Sequence, residues 1–251
     1  MLREVVRLVL PLECAGCGRP DVVLCGPCTR LLAGAPRRVD ADAPRLDLAG
    51  RADRLPVWAL ADYRGPVRET VVAWKDRGRV DLDPALVSAM WSGARALAPT
   101  VRLAVGEATE VLVVPVPSSP LAALRRGRSP VGALAKAVVG GLHGTGLRAR
   151  MCPALAVRRS ASDQVGLGQR ARQRNVSGRV ALRRAVPTLV GARRGGSSIV
   201  LVDDVLTTGA TLAAAEAALA RTGLPVLAAL VLAATPPPGG TLVLPLGPGA
   251  G

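Results

Sequence analysis

The chain has 251 residues, a formal net charge of +15 and an apolar fraction of 49%, with Phe absent and aromatic residues at only 2%. This length allows one medium-sized domain with a small additional module. No run of about 18 apolar residues is present to cross a membrane, and the start of the chain is a poor secretory signal, so we expect a cytoplasmic protein. The positive charge predicts attraction to polyanions, although GC-rich coding would produce the same excess of Arg.

Two Cys-x-x-Cys pairs open the sequence, and seven residues separate Cys14-Ala-Gly-Cys17 from Cys25-Gly-Pro-Cys28. Four thiolates at this spacing are typical of a structural zinc site, in which four protein sulfurs leave no position for water. An iron–sulfur cluster or disulfides would also use four cysteines, but a reducing cytosol disfavours disulfides. We therefore predict a zinc-binding module over residues 1–35.

The rest of the chain alternates apolar runs with segments of helical periodicity. Residues 33–55 have no sustained period and predict a linker or an irregular surface segment. The predicted strands are 56–62, 111–116, 154–157, 180–182, 199–202 and 226–232, and the predicted helices are 67–75, 83–98, 130–142 and 211–221, with Asp83 as an N-cap. This order predicts an α/β fold with a parallel sheet that binds ligands at the carboxyl ends of its strands.

The most informative segment is 199–211, in which an apolar strand leads through two carboxylates into a hydroxyl-rich turn that opens a helix. Amide and hydroxyl groups at a helix start can hold a phosphate monoester. Asp203 and Asp204 would repel phosphate, but they can accept hydrogen bonds from the vicinal hydroxyls of a ribose. The segment thus predicts a ribose 5-phosphate site, with the phosphate held by Val205, Leu206, Thr207, Thr208, Gly209, Ala210 and Thr211. The alternative is a buried strand followed by an ordinary capped helix.

This segment resembles the 5-phosphoribosyl 1-pyrophosphate (PRPP) signature of type I phosphoribosyltransferases, and its surroundings resemble the ComF family of competence-associated proteins. Besides the cysteine pairs, the similar positions are Val114-Pro115-Val116-Pro117, Tyr63 with Lys75, and the spaced Gln164, Leu167, Arg170 and Asn175. The chain departs from the family at residues 126–130, where Arg-Gly-Arg-Ser-Pro replaces a common Arg-Gly-Phe-Asn-Gln.

The resemblance implies a type I phosphoribosyltransferase-like domain over residues 56–235 with a five-stranded parallel core. The high Pro and Gly content of residues 236–251 predicts a disordered tail. The family also implies transfer of a phosphoribosyl group with release of pyrophosphate, and a flexible loop at about 160–175 that closes over the pyrophosphate. Asp203 and Asp204 would face the ribose hydroxyls, directly or through Mg²⁺ bound with PRPP. The candidate pyrophosphate ligands are Ser118, Ser119, Lys75 and Arg170, with Arg172 and Arg174 as further candidates.

Two functions remain open from the sequence. The first is Mg²⁺-dependent phosphoribosyl transfer to or from a base or amine. The second is non-enzymatic: the pocket binds PRPP or a nucleotide, while the basic surface engages single-stranded DNA or a competence motor ATPase. The family context places either function in natural transformation. The acceptor and the oligomeric state have no local sequence signature.

Overall fold

A computed structural model describes residues 12–49, 54–105, 110–117, 128–157, 180–183 and 196–237. The elements in chain order are α1 (Gly26–Arg30), β1 (Arg37–Arg38), β2 (Val57–Asp62), α2 (Gly65–Lys75), α3 (Asp83–Val105), β3 (Glu110–Pro115), α4 (Pro130–His143), β4 (Ala149–Met151), β5 (Leu155–Val157), β6 (Val180–Leu182), β7 (Ser197–Leu206), α5 (Ala210–Ala220) and β8 (Val226–Ala234). The alternation of strands and helices confirms the predicted α/β class.

Six strands form one sheet in the order β1-β2-β8-β7-β3-β4. Only β1 is antiparallel to its neighbour, so the other five strands run parallel. The central strand β7 is buried over its first six residues, as its continuous apolar run predicts for a strand covered on both faces. Strands β5 and β6 form a separate antiparallel ribbon.

Helices cover both faces of the sheet, and alternate residues of β7 face the helices on opposite sides. Val200 and Val202 pack in one apolar cluster with residues of α2, α3 and α4. Ile199 and Leu201 pack in the other cluster with residues of α5 and of the segment that precedes β2. This alternation is the expected consequence of the two-residue period of a strand, and it determines which helices each later residue of β7 approaches.

The segment before β2 differs from its prediction as a linker or surface segment. Two of its residues form β1, and Val39, Ala43 and Leu46 are at most 1% exposed. The backbone N–H of Arg45 donates to the carbonyl of Thr208 at 2.8 Å. Short turns bury single residues at irregular intervals, so this packing leaves no periodic pattern in the sequence. Part of the predicted linker therefore lies against the signature turn.

Three smaller expectations also need correction. Helix α3 continues through Pro99 to Val105, because Leu97 and Val101 remain anchored in the core. Asp83 has helical backbone angles and is the first residue of α3 rather than its N-cap. Strand β4 was not predicted, since three residues are too few to show a period.

None of the helices within the described ranges is long and apolar enough to cross a bilayer. The predicted loop at 160–175 lies outside the described residues, as do residues 238–251 of the tail predicted over 236–251.

Candidate functional site

Four parallel strands bring their carboxyl ends to one edge of the sheet: β2, β8, β7 and β3. The chain leaves β7 through α5 to β8 on one side, and it leaves β3 through α4 to β4 on the other. The two loops therefore diverge between β3 and β7, and this is the crevice in which open α/β sheets bind ligands. The signature turn follows β7 at this point, whereas Ser118 and Ser119, which follow β3 in sequence, lie outside the described residues.

The two signature carboxylates lie within β7, because the strand continues to Leu206. Strand alternation places Asp204 on the face shared by Val202 and α2, and Asp203 on the opposite face with Leu201. The backbone N–H of Asp204 donates to Asp203 Oδ1 at 2.8 Å. Adjacent in sequence, the two carboxylates thus have different surroundings, which the sequence pattern did not distinguish.

Lys75, the last residue of α2, forms an ion pair with Asp204. Its Nζ lies 2.8 Å from Oδ1 and 2.6 Å from Oδ2 of that carboxylate. The Asp204 side chain is 3% exposed and the Lys75 side chain 28% exposed. Burial by itself lowers the pKa of Lys75, but the charges of Asp204 and Asp203 outweigh this effect and raise the pKa above its ordinary value. The structure therefore shows Lys75 neutralising a buried carboxylate at the strand end.

The pKa of Asp203 is raised above the ordinary value of an aspartate. Burial raises its pKa, the nearby charge of Asp204 raises it further, and Lys75 only partly opposes these effects, so the pKa reaches about 8. The interaction between the two carboxylates therefore opposes simultaneous ionisation, as expected for like charges in one site.

This shift predicts a pH-dependent stability. An Asp titrates at about 4 in the unfolded chain, so the folded state binds the Asp203 proton more tightly. The contribution of Asp203 to stability is therefore complete below about pH 4 and is lost as the pH rises towards 8. We expect Asp203→Asn to have a higher Tm than wild type at pH 9, with a difference that shrinks towards pH 5. Thermal unfolding from pH 5 to pH 9 tests this, and a constant difference would contradict it.

The signature turn leads from β7 into α5. Thr207 and Thr208 are exposed, and Thr208 Oγ1 accepts a hydrogen bond from the backbone N–H of Ala210 at 3.5 Å. Gly209 is the residue before the helix and has a φ of +84°. A Cβ at Gly209 would lie 2.7 Å from Leu46 Cγ, so the position requires glycine for its backbone angle and for its contact. The turn thus presents hydroxyl groups to solvent on a backbone fixed by the segment before β2.

These two requirements predict the effect of Gly209→Ala. A non-glycine residue in the left-handed region costs about 1–3 kcal/mol, and the clash with Leu46 adds to this cost. Gly223→Ala is the matched control, because Gly223 has a φ of +71° and a Cβ there would meet no atom within 4 Å. We expect chemical denaturation to show a clearly larger loss for Gly209→Ala. Equal losses would mean that the Leu46 contact is unimportant.

The carboxyl end of α2 is fixed by a residue that sequence reasoning did not assign to the site. The guanidinium of Arg128 donates to Asp83 Oδ1 at 2.6 Å and to the carbonyl of Trp74 at 2.7 Å. Trp74, which is fully buried, donates its indole N–H to the same Oδ1. Because these residues are 9 to 54 positions apart in sequence, no local motif could reveal the network. This network of Arg128 and Asp83 holds Trp74, which is adjacent to Lys75 in sequence.

The four cysteines of the predicted module come together. Their Sγ atoms all lie within 4.8 Å of one another, with Cys17 exposed and the other three buried. The backbone N–H of Cys25 donates to Cys14 Sγ at 3.3 Å. Burial and the neighbouring sulfurs raise the pKa of Cys28, so four thiolates need a compensating cation. The cluster could bind a metal ion such as zinc, which four cysteine sulfurs coordinate in structural sites.

The structure thus brings Lys75 to Asp204 and places residues 203–211 at one strand edge. Arg170, Arg172 and Arg174 lie outside the described residues. No protein-family model matches the chain, and no curated protein matches it.

Proposed function

We propose that the chain is a PRPP-binding protein of the type I phosphoribosyltransferase class, similar to the ComF family. The observation that carries this proposal is the position of residues 203–211, which leave the central strand at the crevice between β3 and β7. A hydroxyl-rich turn beside two carboxylates, one of which is buried, can bind a phosphate joined to a diol.

Each part of the site has a role in this proposal. The hydroxyl and amide groups of residues 207–211 hold the 5-phosphate. Asp203 accepts hydrogen bonds from the ribose hydroxyls, while the ion pair with Lys75 holds Asp204 in place. Ser118, Ser119 and Arg170 remain the proposed pyrophosphate ligands. Mg²⁺ bound through the substrate phosphates would be oriented by these carboxylates.

The reaction would need placement and charge compensation more than a protein nucleophile. The bond between C1 of the ribose and the pyrophosphate oxygen breaks, and pyrophosphate leaves with the electron pair. A nitrogen of the acceptor forms the new bond to C1 and loses a proton. Positive charge then develops on the sugar ring near the carboxylates, and negative charge develops on the departing group.

Calorimetric titration with PRPP and Mg²⁺ tests the binding proposal. We expect saturable binding to the wild type and at least tenfold weaker binding to Asp203→Ala, since tenfold corresponds to about 1.4 kcal/mol, within the value of one charge-assisted hydrogen bond. Asp21→Asn, which changes an exposed carboxylate of the cysteine module, is the control and should bind normally. Absence of binding to the wild type would reject the proposal.

The net charge of +15 favours a second candidate function, in which the pocket binds PRPP or a nucleotide without turnover while the surface binds single-stranded DNA or a competence ATPase. Pyrophosphate release with a panel of base and amine acceptors distinguishes the two, because only the enzyme releases it. DNA binding should weaken steeply with salt, as phosphate contacts do. Binding that is absent at low salt would reject the DNA role.

We also propose that the metal of the cysteine cluster is zinc and that its role is structural. Four sulfurs complete a tetrahedron and leave no position for a reacting water.

A further inference from the structure

The four-cysteine module packs directly on the first turn of α2. Gly16 lies between Cys14 and Cys17, and a Cβ at this position would be 3.0 Å from the carbonyl oxygen of Pro66 and 3.0 Å from Thr70 Oγ1. It would also be 2.9 Å from Cys28 Sγ. The backbone at Gly16, a ligand sulfur and the start of α2 therefore meet at one point.

Thr70 strengthens this contact from the side of the helix. It is 1% exposed, and its hydroxyl donates to the carbonyl of Pro66 at 2.8 Å. Because the Thr70 side chain is closely packed and its hydrogen bond is made within the helix, the loop of Gly16 has no space to shift towards α2. Any change in the shape of this loop must therefore move either the sulfur of Cys28 or the helix.

The module also contacts the region beyond the other end of α2. Arg79 donates from Nη1 to the carbonyl of Glu13 at 3.2 Å, and Asp81 holds the same guanidinium at 2.8 Å. Ala15 of the module packs against the apolar cluster that contains Val67 of α2. The contacts thus extend from the first turn of α2 to the residues that follow its last turn.

The helix α2 transmits position because it is short and rigid. Its 11 residues span about 16 Å at 1.5 Å per residue, and its last residue is Lys75, whose Nζ contacts Asp204. Trp74 is fully buried beside it and is held by Arg128. A displacement of the first turn would therefore change the position of Lys75 at the strand end.

We infer that the metal-bound cysteine module is a positioning element for Lys75, so that metal occupancy sets the geometry of the Lys75–Asp204 pair. A consequence of this inference is that metal occupancy also sets the affinity of the sugar-phosphate site. This consequence rests on the proposed function, whereas the positioning of Lys75 does not. The module then acts through α2 and makes no contact with the ligand itself.

The chain allows a direct test, because its only lysines are Lys75 and Lys136. In protein labelled with ¹³C and ¹⁵N at lysine, each of the two lysines gives one Nζ/Cε correlation in NMR, and Lys75→Arg assigns the two. Lys136 is exposed on α4 and serves as an internal reference. The signal of Lys75 reports its contact with Asp204 without any ligand.

Two glycine variants are compared, each prepared with one zinc ion per chain. Gly16→Ala places a methyl against α2, whereas a Cβ at Gly26, which lies between Cys25 and Cys28, would meet only Arg30 Nη1 at 3.5 Å. We expect Gly16→Ala to shift or broaden the Lys75 signal and to weaken binding of PRPP with Mg²⁺ by about tenfold, a typical coupling between sites. Gly26→Ala should leave both unchanged.

A Lys75 signal that is the same in Gly16→Ala as in the wild type would overturn the inference. If Gly16→Ala does not retain zinc, the wild type treated with a zinc chelator replaces it, and an unchanged Lys75 signal there has the same meaning. If the Lys75 signal shifts but the wild type binds no PRPP, the positioning role stands and the proposed function fails. These outcomes separate the two proposals.

Discussion

Replacing Lys75 with Met is expected to lower the free energy of unfolding by about 3 kcal/mol, the lower end of the cost of breaking a buried ion pair. The cause is Asp204, whose carboxylate is 3% exposed and whose two oxygens both lie within 2.8 Å of Lys75 Nζ. Methionine replaces the apolar stem of the lysine side chain and removes the ammonium group, so the loss comes mainly from the uncompensated charge of Asp204. Urea denaturation measures this change in the free energy of unfolding, provided that the two proteins have the same dependence of that free energy on urea concentration.

A double-mutant cycle identifies the source of this loss. Asp204→Asn removes the charge, so Lys75→Met in the Asp204→Asn background should cost much less than in the wild type. Lys136→Met is the matched control, because it changes the other lysine at an exposed site and should alter stability by no more than about 0.5 kcal/mol. Equal costs of Lys75→Met in both backgrounds would show that the ion pair is not responsible.

Removing the metal is the second change for which we expect a large effect. Structural zinc contributes about 10–16 kcal/mol of apparent binding free energy in small zinc-finger peptides, and this energy is also their folding energy. Within the described part of the chain, Val22 and Leu24 are the partly buried apolar residues that pack against the cluster of Cys14, Cys25 and Cys28. We therefore expect chelation to unfold residues 12–32, as measured by amide hydrogen exchange.

Elemental analysis should find one zinc ion per chain in the wild type and a strongly reduced content in Cys28→Ala. Cys152→Ala is the control, since Cys152 is a buried thiol of the sheet domain outside the cluster, and this variant should retain its zinc. Unchanged hydrogen exchange in residues 12–32 after zinc removal would show that the module folds without metal.

The candidate site was predictable to the extent that its residues are neighbours in sequence. The two cysteine pairs and the run from Asp203 to Thr211 are local patterns, and their spacing carries the chemistry. The ion pair between Lys75 and Asp204 joins residues 129 positions apart. Arg128 stood out in the sequence only within residues 126–130, which depart from the family pattern, and nothing in its neighbours indicates that it binds the end of α2.

The fold shows the same difference between local patterns and distant contacts, and the segment before β2 is the example. Apolar periodicity predicted the parallel sheet and its main helices, because long buried strands and amphipathic helices repeat their contacts at regular intervals. Val39, Ala43 and Leu46 are buried one at a time under irregular turns, so their contacts have no period. Their burial depends on the surface formed by α5 and β7, which exists only after folding.

The sequence by itself determined the α/β class, the cysteine cluster and the presence of a buried strand that leads through the signature into a helix, since these depend on local spacing and alternation. Only the tertiary structure decided that Lys75 neutralises Asp204, that burial raises the pKa of Asp203, and that Gly209 is covered by Leu46. The physical reason is that charge and close packing act through distance in space, and these partners are brought together by chain crossings that no single segment encodes.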